Sequence, residues 1–302
     1  MAEIITVLMS TYNGEKYLRE QIESILNQKN VRVQILVRDD GSTDHTHIIL
    51  DEYQKNGKLN WYTGMNLKSS KSFMNLVTKA PETEYYAFCD QDDVWNNDKL
   101  YRAVNKLKSM GNMNIPRLYC SDYQLVDEKL NNLPENDHAT TTTFSAALVS
   151  SCCTGCTVVF NNALKKKLCK QIPDLMVMHD DWVHKVCLAI GGTVYYDKNK
   201  TLKYRQHGNN VDGGVHKLSS RIKNIYYRIK KADCTRSRQI QEIIDIFGNE
   251  MSDSNLKFAK YVAGYRDRHL IGRICLAFDK NIKTPYKRLN RGYRLAIILK
   301  YF

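Results

Sequence analysis

Short apolar runs alternate with stretches of helical period over the first 110 residues, and this alternation leaves few folds open. Residues 4–10 read as a buried strand and residues 14–28 as a helix with Tyr17, Leu18, Ile22, Ile25 and Leu26 on one face. A strand at 33–37, a helix near 43–55, a strand at 59–62, a helix at 72–79, a strand at 85–89 and a helix at 96–109 continue the pattern. Strands joined through helices of this length pair in parallel, so the expectation is an α/β fold with a mixed, mainly parallel sheet flanked by helices. The patterns GxxxxGK and GxGxxG are both absent, which excludes a P-loop enzyme and a dinucleotide-binding Rossmann domain.

Two of these strands end in carboxylates. Residues 33–37 run into Arg38-Asp39-Asp40-Gly41-Ser42-Thr43-Asp44, and residues 85–89 into Asp90-Gln91-Asp92-Asp93-Val94-Trp95. In an open α/β sheet, ligands bind in the crevice outside the carboxyl ends of the strands, so both clusters would face one crevice. Carboxylates held there suit a divalent cation and the phosphate it carries. The competing reading is ordinary turn and capping chemistry, which is what Asp98 ahead of Lys99 and Leu100 is expected to supply.

The net charge of +13 is unevenly placed. Residues 201–302 hold 22 Lys and Arg against 8 Asp and Glu, and the first 200 residues are nearly neutral. The excess therefore belongs to a localised basic element rather than to a chain-wide nucleic-acid surface, and no nucleic-acid partner is expected. Nine cysteines and no recognisable signal segment point to a reduced, cytoplasmic setting. Cys153 and Cys156 have CxxC spacing, but without a second pair they read as small buried residues. No apolar run approaches the ~20 residues of a membrane-spanning helix.

Further on, residues 118–126 and 154–160 read as strands, separated by a polar loop at 131–143. A helix follows His179-Asp180-Asp181, and strands are expected at 193–197 and 201–205. Helical spacing then takes over at Ile222, Ile225, Tyr226 and Ile229, at Ile240, Ile243, Ile244 and Phe247, and from about 255 to 278. A boundary near 214 would divide a catalytic domain, 1–214, from a basic helical C-terminal region, 215–302.

Four segments, Ser10-Thr11-Tyr12-Asn13-Gly14, Asp39 to Asp44, Asp90 to Trp95, and Tyr204-Arg205-Gln206-His207-Gly208-Asn209-Asn210, resemble in order and spacing the motifs of family 2 glycosyltransferases. The likeness is greatest to the bacterial rhamnosyltransferase-like branch and covers about residues 3–212. It implies a GT-A fold and inverting transfer of a sugar, rhamnose being one candidate, from a UDP- or dTDP-linked donor. The acceptor would be a saccharide, free or lipid-linked, in bacterial surface polysaccharide synthesis, and the cofactor a divalent metal, Mn2+ or Mg2+. By the same resemblance Asp92 is the metal ligand of a DxD motif. Asp90 stands near the ribose or a metal-bound water, with Gln91 between them, and Asp93 is left to cap a helix. Thr11, Tyr12, Asn13 and the pair Asp39 and Asp40 match nucleoside-binding positions, with either carboxylate able to accept the N3 hydrogen of uracil or thymine.

The segment His179-Asp180-Asp181-Trp182 matches the place of the general base, with His-Asp in place of the usual Glu-Asp. Asp180 is the expected base and Asp181 the N-cap or runner-up. His207 is assigned to the metal or diphosphate, Arg205 to phosphate, and Lys71 to phosphate or nucleoside. Lys68 stands where the family usually has glycine. Gly155, Cys156 and Trp182 are placed on the acceptor side.

The basic tail aligns Leu289, Tyr293, Ala296, Ile297 and Lys300 on one helical face with arginines nearby. Such a helix either lies on anionic lipid as a peripheral membrane contact or packs on the catalytic domain or a second copy in a homodimer. The rival reading is a catalytically degenerate GT-A protein acting as a membrane or nucleic-acid binding module. A nucleotidyltransferase would be expected to carry a glycine- and basic-rich loop where Ser10 to Gly14 stands.

Overall fold

The computed structural model of the protein describes residues 2–134, 140–208 and 235–302. The first half alternates as expected: β1 (Ile4–Thr11), α1 (Leu18–Leu26), β2 (Arg32–Asp39), α2 (Thr46–Lys55), β3 (Asn60–Thr63), α3 (Lys68–Lys79), β4 (Tyr85–Cys89), β5 (Val94–Trp95) and α4 (Lys99–Ser109). Next come β6 (Arg117–Val126), α5 (Phe144–Val149), β7 (Val159–Asn161), α6 (Asn162–Leu168), α7 (His179–Ala189) and β8 (Thr193–Arg205). They build one sheet in the order β3-β2-β1-β4-β7-β6-β8-β5. The first four of these strands are parallel, β7 is antiparallel to both neighbours, β6 and β8 are parallel, and β5 is antiparallel to β8.

β1 explains why the fold has two apolar layers. Its Ile5, Val7 and Met9 face α1, α2 and α4, while Leu8 faces α3 and α7, as the two-residue period of a strand requires. The chain leaves β1 for β2 and β3 on one side and returns to β4 on the other, so strand order reverses at β1. A reversal of this kind opens a crevice at the carboxyl ends of the strands. Parallel register places Thr11 beside Asp39 and Met9 beside Cys89, which brings both acidic strand ends to that crevice.

Several local expectations change. Residues 193–205 form one long strand rather than two, with irregular register against β6 around Ser121 to Gln124, where β8 carries extra residues. Residues 154–160 do not run as a strand: Gly155–Thr157 make a 3-10 turn, closed by the Thr157 hydroxyl donating to the Thr154 carbonyl at 2.8 Å, and only Val159–Asn161 pair. Asp98 does not cap α4 with its side chain but pairs with Arg102 one turn on. The boundary near 214 and the helical spacing from Ile222 to Ile229 lie outside the described residues.

The C-terminal helices are α8 (Thr235–Phe247), α9 (Asp253–Ala263), α10 (Leu270–Ala277) and α11 (Lys287–Ile298). The helix expected from 255 to 278 is broken because Tyr265 turns into the core, where its hydroxyl accepts from the Phe302 amide at 3.1 Å. Ile240, Ile243, Phe247, Val262, Tyr293 and Ile297 join the apolar layer that holds Trp182, Val183 and Val186 of α7. The apolar face of α11, one of whose two expected partners was lipid, is thus packed against protein. Because Phe247 lies against Trp182 with ring centroids 6.4 Å apart, Phe247→Ala should cost about 3–5 kcal/mol of stability in urea unfolding. A loss under ~1 kcal/mol would show that this contact contributes little to the core.

Candidate active site

A cavity of about 1220 Å³ opens at the carboxyl end of the sheet. Of the residues expected to act, Thr11, Tyr12, Asn13, Asp40, Asp90, Gln91, Asp92, Gly155, Asp180 and His207 line it. Asp39, Lys71, Cys156, Asp181, Trp182 and Arg205 are not among its lining residues. The fold therefore separates each adjacent acidic pair into one member that faces the cavity and one that does not.

At the end of β2, Asp39 is the turn-holding member. It accepts from the Gly41 and Ser42 amides at 3.0 and 2.8 Å, from the Ser42 and Thr11 hydroxyls at 2.6 and 2.8 Å, and contacts His47 at 2.7 Å. Burial works to raise its pKa, but the hydrogen bonds from Ser42, His47 and Thr11 outweigh burial and hold it below the usual carboxylate value. Asp40 faces the cavity, ion-paired with the buried Arg38 and accepting from the Leu67 amide at 2.9 Å. The first loop is fixed by Gln91, whose side chain accepts from the Tyr12 amide at 2.8 Å and donates to the Tyr12 carbonyl at 3.1 Å. Gly14 is required beside it, since a Cβ there would stand 2.4 Å from the Gln91 side-chain oxygen.

The three carboxylates after β4 have three different surroundings. Asp92 meets His207 at 2.8 Å, and the His207 ring lies 5.2 Å from that of Tyr17. Asp93, expected to cap a helix, instead accepts from the Arg205 amide at 3.1 Å and is buried beside Cys156. Asp90 has its pKa pushed up to about 8, first by burial and then by the charges of Asp92 and Asp180. Arg205, expected at phosphate, is committed to the protein. Its guanidinium donates to the carbonyls of Asp92 and Glu128 at 2.8 and 2.7 Å, pairs with Glu20 and covers the Tyr17 ring.

α7 carries the second acidic pair, and neither member caps it: the N-cap is Met178, without a side-chain bond. Asp181 is bound by Lys185 at 2.6 Å to both oxygens and by Gln239 of α8 at 2.6 Å. Burial opposes its ionisation, but the charges of Lys185 and Arg236 together with the hydrogen bonds from Lys185 and Gln239 outweigh it, so its pKa is lowered. Asp180 has no such cation; burial, and next the Asp181 charge, push it up to about 7. His179 lies under the cavity, stacked on Phe73 at 3.9 Å, with both ring nitrogens unpartnered and burial driving its pKa down to about 3. Gly155 is needed for this approach, because a Cβ there would come 2.7 Å from the His179 ring.

Trp182, placed on the acceptor side from sequence, is fully buried between α7 and α8, one residue too far round the helix to reach the cavity. Cys156 is likewise buried, whereas Cys153, Thr154 and Gly155 before it border the cavity. Lys71 is exposed one turn along α3, whereas Lys68 and Ser70 line the cavity. Lys68 has φ +61°, the left-handed conformation for which glycine is suited, at roughly 1 kcal/mol for a side chain. Sequence reasoning did not single out His179, Tyr17, Phe73, Tyr123 or Tyr204 as cavity residues. His179 and Tyr204 carried a signal, their place in the motifs, while Tyr17 read only as part of an apolar helix face.

A sheet of this order with a polar crevice at its switch point and carboxylates on two strand ends defines a GT-A glycosyltransferase. The chain belongs to glycosyl transferase family 2, whose family model matches residues 6–168. It is 27% identical to the dTDP-rhamnosyl transferase RfbG of Shigella flexneri over 96% of this chain and 99% of that protein. Among solved structures, S. aureus TarS 1-349 in complex with UDP-GlcNAc superposes with a TM-score of 0.54 at 17% identity, covering 99% of this chain and 90% of that one. The mannosyltransferase PcManGT of Pyrobaculum calidifontis, in complex with GDP-Man and Mn2+, gives 0.52 at 16% identity, covering 100% and 87%.

The contrast between Asp180 and Asp181 is measurable as stability. A carboxyl whose folded pKa is raised from 3.8 to about 7 loses stability progressively as pH rises from about 4 to about 7, so Asp180→Asn should raise Tm at pH 8 and leave it nearly unchanged at pH 4. Asp181→Asn strands the buried Lys185 charge and should cost about 3–5 kcal/mol at pH 7. Equal Tm values for the two variants at pH 8 would contradict this division.

Proposed function

We propose that the chain transfers a sugar from a UDP- or dTDP-linked donor to a hydroxyl of a saccharide acceptor with inversion, using Asp180 as general base. The observation that carries this reading is that Asp180, with a pKa of about 7, shares one cavity with Asp90 and Asp92. A base near neutrality can take a hydroxyl proton without being permanently protonated. The acceptor oxygen, as its proton passes to Asp180, forms a bond to the anomeric carbon from the face opposite the diphosphate. The bond from that carbon to the phosphate oxygen breaks, and the nucleoside diphosphate leaves with the electron pair.

Asp40 would receive the N3 hydrogen of uracil or thymine, and Asp39 would hold the turn that presents Asp40. Asp92, with Asp90 and His207, would hold a divalent ion, Mn2+ or Mg2+, and such an ion supplies Lewis-acid neutralisation of the departing diphosphate. The donor set suits a cation: the pKa of Asp90, and that of the buried Asp93 beside it, is raised first by burial and then by the neighbouring carboxylates, and a bound cation would offset both effects. The likeness to RfbG along nearly the whole of both chains supports a dTDP-linked deoxysugar such as rhamnose, in the synthesis of a bacterial surface polysaccharide.

Asp180→Asn should leave donor affinity in calorimetry within about twofold and lower turnover by about 10²- to 10⁴-fold. Parent turnover should fall as pH drops below about 7, because the protonated carboxyl cannot act as a base. Unchanged turnover in the variant would remove Asp180 from the reaction.

Contact with an anionic membrane, where a lipid-linked acceptor would lie, is supported by α10 rather than α11. Leu270, Ile271, Ile274 and Phe278 are exposed along α10, Ile271 at 68% and Phe278 at 58%, and Arg294 covers the Phe278 ring at 4.5 Å. Residues 268–302 contain nine Lys and Arg and one acid, Asp279. Apolar side chains framed by cations suit an interfacial site. No helix among the described residues is long and apolar enough to cross a membrane. Ile271→Glu with Phe278→Glu should abolish co-sedimentation with phosphatidylglycerol vesicles at low salt while donor binding persists. Undiminished co-sedimentation would place the contact elsewhere.

A further inference from the structure

We propose that Cys120, Cys152 and Cys153, with His184 at their edge, form a second metal site, for a thiophilic divalent cation of the Zn2+ type. The three sulfurs lie within 4.8 Å of one another, and those of Cys120 and Cys152 are 3.9 Å apart. A tetrahedral ion with Zn–S bonds of ≈ 2.3 Å holds its sulfurs about 3.8 Å apart, so this pair already stands at ligand spacing. His184 Nε2 is 3.8 Å from Cys152 Sγ, near enough to share an ion with that sulfur, but it stands outside the group of sulfurs that lie within 4.8 Å of one another and would have to move in to complete the set. The other ring nitrogen, Nδ1, is held by the Ser151 hydroxyl at 2.9 Å, which orients the ring and leaves Nε2 for the ion.

The ligands come from three elements: β6, the segment after α5, and α7. An ion here would tie β6 to the helix whose first turn carries Asp180. Cys153 borders the main cavity and gives the ion a way in. Thiolates and an imidazole select a softer ion than the carboxylates of the crevice, so the two sites would not compete for the same metal. The CxxC spacing of Cys153 and Cys156 is not the basis of this site, since Cys156 turns toward Asp90 and Asp93.

The full chain, purified under reducing conditions, is titrated with Co2+ and followed by absorption. One equivalent should produce an intense thiolate-to-cobalt charge-transfer band in the near ultraviolet, which Zn2+ then abolishes. Co2+ bound to the carboxylate crevice gives no such band. Cys152→Ser should remove the band and weaken Zn2+ retention against a chromophoric chelator at least tenfold, and Cys120→Ser should do the same if it folds. His184→Ala should keep the band with weaker binding, and Cys275→Ser, at an exposed position, should match the parent. A parent chain without the band, or a Cys152→Ser variant that retains it, overturns the proposal.

Discussion

Carboxylates buried at one end of a sheet are costly to ionise, and that burial, reinforced by their mutual repulsion, governs how the site is arranged. Asp40, Asp90, Asp92 and Asp180 line the crevice, and Asp39 and Asp93 are buried next to them in the chain. The fold holds some of them ionised with donors and leaves others without, so that their ionisation is disfavoured. Asp39 is saturated with hydrogen bonds and Asp40 is paired with Arg38, whereas Asp93 has the Arg205 amide on one oxygen and its pKa is still raised, first by burial and then by Asp92 and Asp90. Asp90 and Asp180 have no cation of their own, and burial raises both pKa values. Groups left unbalanced in this way are the ones able to bind a cation or accept a proton.

Arg205 shows how much of the scaffold serves that arrangement. Its side chain ties the end of β8 to the Asp92 carbonyl, to Glu128 and to Glu20 of α1. This fixes the turn after β4 and delivers His207, two residues on, to Asp92. The same economy appears on α7, where Gln239 and Lys185 engage Asp181 so that the C-terminal layer braces the helix bearing Asp180. The C-terminal helices thus belong to the same packed layer as α7.

Much of the architecture was legible because parallel strands buried on both faces need continuous apolar runs, and those runs are local in sequence. β1, β2 and β4 fall within a residue or two of their expected positions. The acidic strand ends were legible for the same reason. Misreadings arose where a distant contact overrides a local pattern: Tyr265 breaks a helix to reach Phe302, and Trp182 enters the core beside Phe247. The glycine-to-Lys68 departure was visible as an oddity, but only the backbone shows that Lys68 adopts the left-handed conformation.

The sequence by itself determined the mainly parallel α/β sheet, the family and the aspartates that line the crevice, since periodicity and motif spacing are properties of neighbours along the chain. Tertiary structure alone decided which member of each acidic pair faces the cavity, that Arg205 is a brace, and that α11 spends its apolar face on packing. Adjacent side chains point in different directions, and the partners that sort them, Arg38, Lys185, Gln239 and Phe247, are set by packing between elements rather than by local sequence.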